Sequence, residues 1–198
     1  KETINLDSTP WKTLTKDEQD NLRLMLAKKI IDKEKRILKK ILDHNIKSIL
    51  DIPCGDFYWM SKLDLKQLSY TGADIVEELI EINNKKYKNL NVNFLRLDII
   101  NDKLPNVDLI FSRDCLVHLD NNEIISTLKN IKKNGSNYFA TTIFEKNFNN
   151  DSSKLSDNWR PINLTKAPFN LNDPDFIIDD SNNNQLDKKI AIWKINNL

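Results

Sequence analysis

Ser48-Ile49-Leu50-Asp51-Ile52-Pro53-Cys54-Gly55-Asp56-Phe57-Tyr58-Trp59-Met60 joins a short aliphatic run to an acid, a Pro and a Gly, then to residues with a helical apolar rhythm. That order reads as strand, tight turn, helix. It predicts the first βα unit of an open α/β sheet, in which ligands lie beyond the carboxyl ends of the strands. Asp51 closes the strand facing that crevice, and Gly55 removes a side chain where a ligand passes close to backbone. A dinucleotide asks for G-x-G-x-x-G, with glycines for the turn, for pyrophosphate approach and for helix packing. Those places hold Pro53, Gly55 and Tyr58. A nicotinamide-dependent oxidoreductase, one alternative on this architecture, thus lacks two of its three glycines. A ligand with an ammonium group and no phosphate suits the strand-terminal carboxylate better.

S-adenosylmethionine is such a ligand, and Asp51-Ile52-Pro53-Cys54-Gly55-Asp56-Phe57 resembles motif I, D-x-G-x-G-x-G, of class I S-adenosylmethionine-dependent methyltransferases. The chain departs from that motif at two glycines, with Pro53 and Phe57 in their places. The resemblance implies an α/β fold with a Rossmann-like, seven-stranded, mostly parallel sheet, helices on both faces and an antiparallel last strand. It also implies cofactor contacts at Asp51, Pro53 and Gly55.

The order of the later motifs extends the resemblance from Ile46 onward. Leu68 to Ile75 reads as the second strand, and Asp74 follows Asp51 by 23 residues. That is close to the separation at which an acid accepts both ribose hydroxyls of a nucleoside. Val92 to Asp98 reads as the third strand, again ending on an acid. By resemblance Asp98 accepts from the adenine amino group, the Ile99 amide reaches a ring nitrogen, and Ile75 packs on the adenine face. Strand four, Val107 to Phe111, runs into Ser112-Arg113-Asp114-Cys115-Leu116-Val117-His118-Leu119. In the family, backbone carbonyls here meet the methionine amino group and side chains face the acceptor, which makes Ser112 and Arg113 cofactor candidates. The Asn/Asp-Pro-Pro-aromatic motif of enzymes that methylate nucleobase amines is absent.

Asp114 and His118 are four apart, so a helical segment would put them on one face. His118, with an ordinary pKa near 6.5, is the candidate general base, and Asp114 its orienting partner or the base itself. No third His, Asp or Glu follows at a spacing that would let it join them around an ion, so no metal site is assigned. Asn121 to Lys133 predicts a helix stopped by Asn134-Gly135, Ser136 to Ile143 a fifth strand, and Phe176 to Ile178 and Lys189 to Ile195 the last two. Phe144 to Asn172 carries no helical pattern, and a stretch of that kind is usually functional. Its Trp159 and Arg160, with Arg113 and Trp11, are the candidates for binding substrate, Arg160 towards a carboxylate or phosphate.

Upstream, Thr15 and Glu18 form a capping box. The apolar residues from Leu22 to Leu42 predict one broken helix or two consecutive ones. We therefore expect residues 1–45 to be an N-terminal lid with flanking helices and 46–198 the methyltransferase domain, within one compact unit. The 198 residues suit one domain, and 30 basic against 29 acidic side chains leave a net charge of +1, which gives no field for nucleic acid or an anionic membrane. Cys54 and Cys115 form no metal or disulfide framework, consistent with a reducing cytoplasm. No apolar run of about 18 residues is present, so no membrane span is expected. The segments Ser112 to Leu119 and Trp159 to Leu164 are similar to small methyltransferases of bacterial surface-polysaccharide (capsule) biosynthesis. That resemblance implies a small-molecule acceptor, a hydroxyl on a sugar or on a phosphate-linked precursor. A non-catalytic S-adenosylmethionine-binding module is the remaining alternative.

Overall fold

Thr15 opens α1 (Lys16–Leu42), and its hydroxyl and the Glu18 carboxylate satisfy each other's backbone amides as a capping box. The helix is continuous over 27 residues, where the sequence reading expects a broken helix or a consecutive pair. Residues 15–146, 149, 159–182, 185 and 187–198 are described in this computed structural model, and Trp11 lies outside them.

Seven strands form one sheet in the order β3-β2-β1-β4-β5-β7-β6. They are β1 (Ser48–Asp51), β2 (Ser69–Asp74), β3 (Val92–Arg96), β4 (Leu109–Ser112), β5 (Tyr138–Phe144), β6 (Phe176–Asp179) and β7 (Lys188–Lys194). All pairings are parallel except those of β7, which runs antiparallel between β5 and β6. Strand three ends two residues earlier than the sequence predicts, so Asp98 stands just past the strand. The chain reverses its direction of travel across the sheet between β1 and β4. Such a switch point opens a crevice at the strands' carboxyl ends.

Alternating side chains build two cores. Ile49, Tyr70, Phe94, Leu109 and Phe111 face Ile37, Leu38 and Ile41 of α1 and Ile80 of α2 (Glu77–Lys86). Leu50, Ala73, Ile110 and Phe139 face Ile124 and Ile131 of α3 (Asn121–Asn134). Spacing by seven puts those two isoleucines on one stripe, and Gly135 ends the helix at φ 84°, in the left-handed region. The sheet is Rossmann-like, with helices on both faces. Among the described residues no helix is long and apolar enough to cross a membrane.

The α-helix expected after Gly55 does not form. Turns and one 3₁₀ turn (Met60–Lys62) carry the chain to β2 instead. Two local competitors win: the Asp56 carboxylate accepts the Tyr58 amide at 3.0 Å, and that of Asp64 accepts the Lys66 amide at 3.2 Å. Such Asx turns offer the backbone an alternative to helix. The apolar rhythm is used otherwise. Phe57 is fully buried, its ring centroid 5.0, 4.9 and 5.1 Å from those of Tyr70, Tyr87 and Phe94.

Candidate functional site

At the switch point β1 delivers Asp51, 2% exposed, whose carboxylate accepts the Tyr70 hydroxyl at 2.6 Å. Burial pushes this carboxyl up to about 7, while the Tyr70 bond and the Arg113 charge pull it back part of the way. Buried carboxylates rise because the charged form loses its hydration. Pro53 is half-buried in the turn that follows. Gly55 adopts φ +55°, and a Cβ built on it meets nothing within 4 Å. The backbone there is open to an approaching molecule.

β2 delivers Asp74, which ties the turn to its own strand. One oxygen accepts the Gly55 amide at 3.2 Å, the other that of Val76 at 3.1 Å. Each oxygen keeps acceptor capacity for a further donor. Ile75 and Val76 beside it are apolar yet exposed. Beyond β3, Asp98 accepts the Ile100 amide and the Asn101 side chain, both at 2.8 Å. Ile99 is buried, and its carbonyl takes the Asn130 amide. Asp51 and Asp74 both reach the Cys54 thiol electrostatically, and Asp74 and Asp98 both reach Cys115, which burial pushes up to about 11.

The chain past β4 departs from the sequence reading. Ser112 is fully buried, and its carbonyl accepts the Thr141 hydroxyl at 2.7 Å. Arg113 turns to the α1 side of the sheet. Its guanidinium forks onto Asp180 at 3.0 and 2.8 Å, reaches Glu34 at 2.7 Å and lies over the Trp59 ring at 5.4 Å. Asp180 is fully buried and also meets Lys33 and Lys188. Lys188 in turn binds Asp114 at 2.6 Å. Three cations and three carboxylates thus close one network.

Asp114 has φ +54°, and only Leu116–His118 is helical, as a 3₁₀ turn. The α-helical face expected to carry Asp114 and His118 together is therefore not formed. Thr142 bonds both the amide and the carboxylate of Asp114, at 2.9 and 3.1 Å, which holds the residue in that left-handed conformation. His118 is exposed.

On the loop after β5, Trp159 is 38% exposed with its ring edge-on to Phe144. Arg160 is buried, with one amino group on Leu119 O at 3.0 Å and Asn121 at 2.8 Å, and its amide on Val117 O. It pins the loop to the 3₁₀ turn. Its expected role towards an acidic substrate meets a guanidinium already engaged inside the protein. Among the described residues no three His, Cys, Asp or Glu side chains are grouped as a metal ion would need.

The sequence reading missed Tyr70, Glu34, Asp180 and Lys188. Tyr70 was legible in principle, since an even spacing from Gly72 and Asp74 puts all three on one face of β2.

A methyltransferase domain family matches residues 49–134. No curated protein sequence matches the chain. Among solved structures, PH0226 from Pyrococcus horikoshii OT3 superposes at TM-score 0.63 and 14% identity, over 89% of this chain and 91% of that one. The methyltransferase domain of bacterial CtHen1 gives 0.58 at 12% identity, over 80% of this chain and 95% of that one. TehB from Haemophilus influenzae gives 0.55 at 18% identity, over 80% of this chain but only 61% of its own. At these identities the likeness is one of fold. The matched segment begins at β1 and ends with α3, so it contains Asp51, Gly55, Asp74, Asp98 and the turn after β4. The methyltransferase domain match covers less than half of the chain, and the segment it covers lies within the Rossmann-like fold.

Proposed function

We propose that the chain transfers a methyl group from S-adenosylmethionine to a small-molecule acceptor, a hydroxyl of the kind carried by sugars. The observation that carries this reading is the turn at the switch point. Gly55 holds open space above its backbone while its amide is tied to the Asp74 carboxylate. The donors and acceptors present fit a nucleoside with an amino-acid tail. Asp74 takes ribose hydroxyls on its unused lone pairs, Asp98 and the Ile99 amide face the base edge, and Ile75 covers the ring. Asp51 and Pro53 border the charged amine, with Ser112 beside them at the tip of β4.

When bound, the cofactor supplies a methyl carbon made electrophilic by its sulfonium. Transfer of such a group is mainly a matter of alignment and water exclusion. His118 receives the acceptor's proton, and Asp114, held by Lys188 and Thr142, orients the acceptor. Trp159 borders the acceptor. With Arg113 and Arg160 engaged in ion pairing and loop anchoring, recognition there rests on neutral hydroxyls, which favours a sugar over a phosphate group. The resemblance of Ser112 to Leu119 and Trp159 to Leu164 to surface-polysaccharide enzymes is the ground for assigning the reaction to capsule-type biosynthesis in the cytoplasm, as part of this proposal.

A non-catalytic cofactor-binding module is the second reading. It is favoured by one observation, that Arg113 and Asp114 are both engaged in internal ion pairs. Calorimetric titration with S-adenosylmethionine and with NAD separates the first reading from an oxidoreductase. Binding of NAD alone would overturn it. A radiolabelled-methyl assay against a panel of sugars, run on wild type and His118→Gln, separates enzyme from module. An acceptor-dependent product with an acidic limb in the pH profile that the variant loses supports catalysis through His118.

A further inference from the structure

The turn at Gly55 lacks two supports that its motif normally has. Pro53 and Phe57 stand where glycines are expected, and no α-helix follows to fix the turn. It is nevertheless held on three sides, and two of the holds come from α2 and from Tyr87, the residue that caps its C-terminus. The Asn83 side-chain amide donates to Gly55 O at 2.8 Å, and the Tyr87 hydroxyl donates to Asp56 O at 3.2 Å. These two residues stand one helical turn apart, which puts them on one face of α2 opposite two consecutive peptide carbonyls. Asp74 supplies the third hold through the Gly55 amide.

Besides Gly55 O, the Asn83 side-chain amide makes only a long contact to Cys54 Sγ, at 3.9 Å and in the same turn. It is fully buried on an otherwise apolar stripe, and its Oδ1 finds no partner among the described residues. A buried amide with an idle acceptor calls for an explanation, and the bond its nitrogen donates to the turn supplies one. Rotating the amide would set two oxygens at 2.8 Å, so the bond to Gly55 O fixes its orientation. Tyr87 also packs its ring edge-on against Phe57 at 4.9 Å, so the same side chain steadies the residue that replaces the last glycine.

We propose that Asn83 and Tyr87 are positioning residues for the cofactor turn, aligning the Gly55 and Asp56 peptides in place of the missing glycines and helix. This rests on the reading of that turn as the S-adenosylmethionine site. Neither residue touches the cofactor in this scheme; each acts through the backbone it holds.

Calorimetry with S-adenosylhomocysteine on the full chain tests it, alongside thermal melts and amide exchange at Gly55 and Phe57. Tyr87→Phe keeps the ring and removes only the hydroxyl. It should weaken binding about three- to tenfold, the effect of one net hydrogen bond, with the melting temperature close to wild type and faster exchange at both amides. Asn83→Asp should weaken binding at least tenfold, since an acceptor then faces Gly55 O, and Asn83→Ser, which restores a short donor, should recover part of that loss. If wild type binds and Tyr87→Phe binds equally well with unchanged exchange, the inference is overturned while the cofactor reading stands. If wild type takes up no S-adenosylhomocysteine, both fall together.

Discussion

Two glycines in this chain answer the same substitution in opposite ways. At Gly72 an added Cβ would lie 2.8 Å from the Phe94 ring and 3.1 Å from the Cys54 side chain. Gly72→Ala should therefore cost about 1–3 kcal/mol through overpacking, read as a lower urea midpoint. At Gly55 the same methyl meets open space but must adopt φ +55°, a strain of about 1–2 kcal/mol. Gly55→Ala should fold and melt only slightly lower, while losing most of its affinity for S-adenosylhomocysteine in a calorimetric titration. Asp51 has a sign of its own. Its carboxyl titrates near 7 in the folded chain against an ordinary 3.8. Below about pH 4 both states hold the proton and the residue costs nothing. Between 4 and 7 the unfolded chain releases a proton that the folded chain keeps, so stability falls as pH rises, and above 7 the full cost of roughly 4 kcal/mol is present. Asp51→Asn should accordingly raise the melting temperature more at pH 8 than at pH 5. It should also bind S-adenosylmethionine more weakly, which is the usual trade between a strained site and stability.

Between elements, Arg113 joins the tip of β4 to α1 through Glu34 and to the end of β6 through Asp180. Removing one member of a buried pair costs about 3–5 kcal/mol, whereas replacing both with apolar groups is often neutral. Asp180 retains Lys33 and Lys188, but Glu34 has no second cation among the described residues. Arg113→Met should therefore lower stability by about 3 kcal/mol, and Glu34→Met in the same chain should regain most of it, measured by urea unfolding. None of this was legible in advance. A sequence shows that Arg113 follows a strand, but its partners are 79 and 67 residues away, and nothing local distinguishes a substrate-binding arginine from one that fastens a helix. The missing helix after Gly55 has a related cause. Phe57 and Met60 carry a helical rhythm because both are buried, yet Phe57 is buried by rings from β2, β3 and the end of α2, and tertiary packing overrode the local pattern.

The sheet as a whole was far more readable. Three acids following successive strands, the Thr15 cap, the Asn134-Gly135 stop and the alternating apolar runs are each local signals. Together they mark the strands and helices in order, whereas the antiparallel strand inserted near the sheet edge was implied by the family resemblance and not by any local signal. What stayed hidden were the features set by contact rather than periodicity, such as the left-handed Asp114 and the short 3₁₀ turn that carries His118. If the cofactor site is as proposed, saturating S-adenosylhomocysteine at about a hundred times its Kd should add about 2.7 kcal/mol. For a chain of 198 residues that is a rise of about 5–10 °C in Tm, and a flat response in a thermal melt would count against the site. The position of β7 also has a consequence in time. Residues 188–194 fill a slot inside the sheet, so a nascent chain emerging from the ribosome can assemble β1 to β5 while β6 still has no strand to bind. Until those residues are translated, the β5 border stays raw and adhesive, and this is the interval in which a chaperone would have most to do.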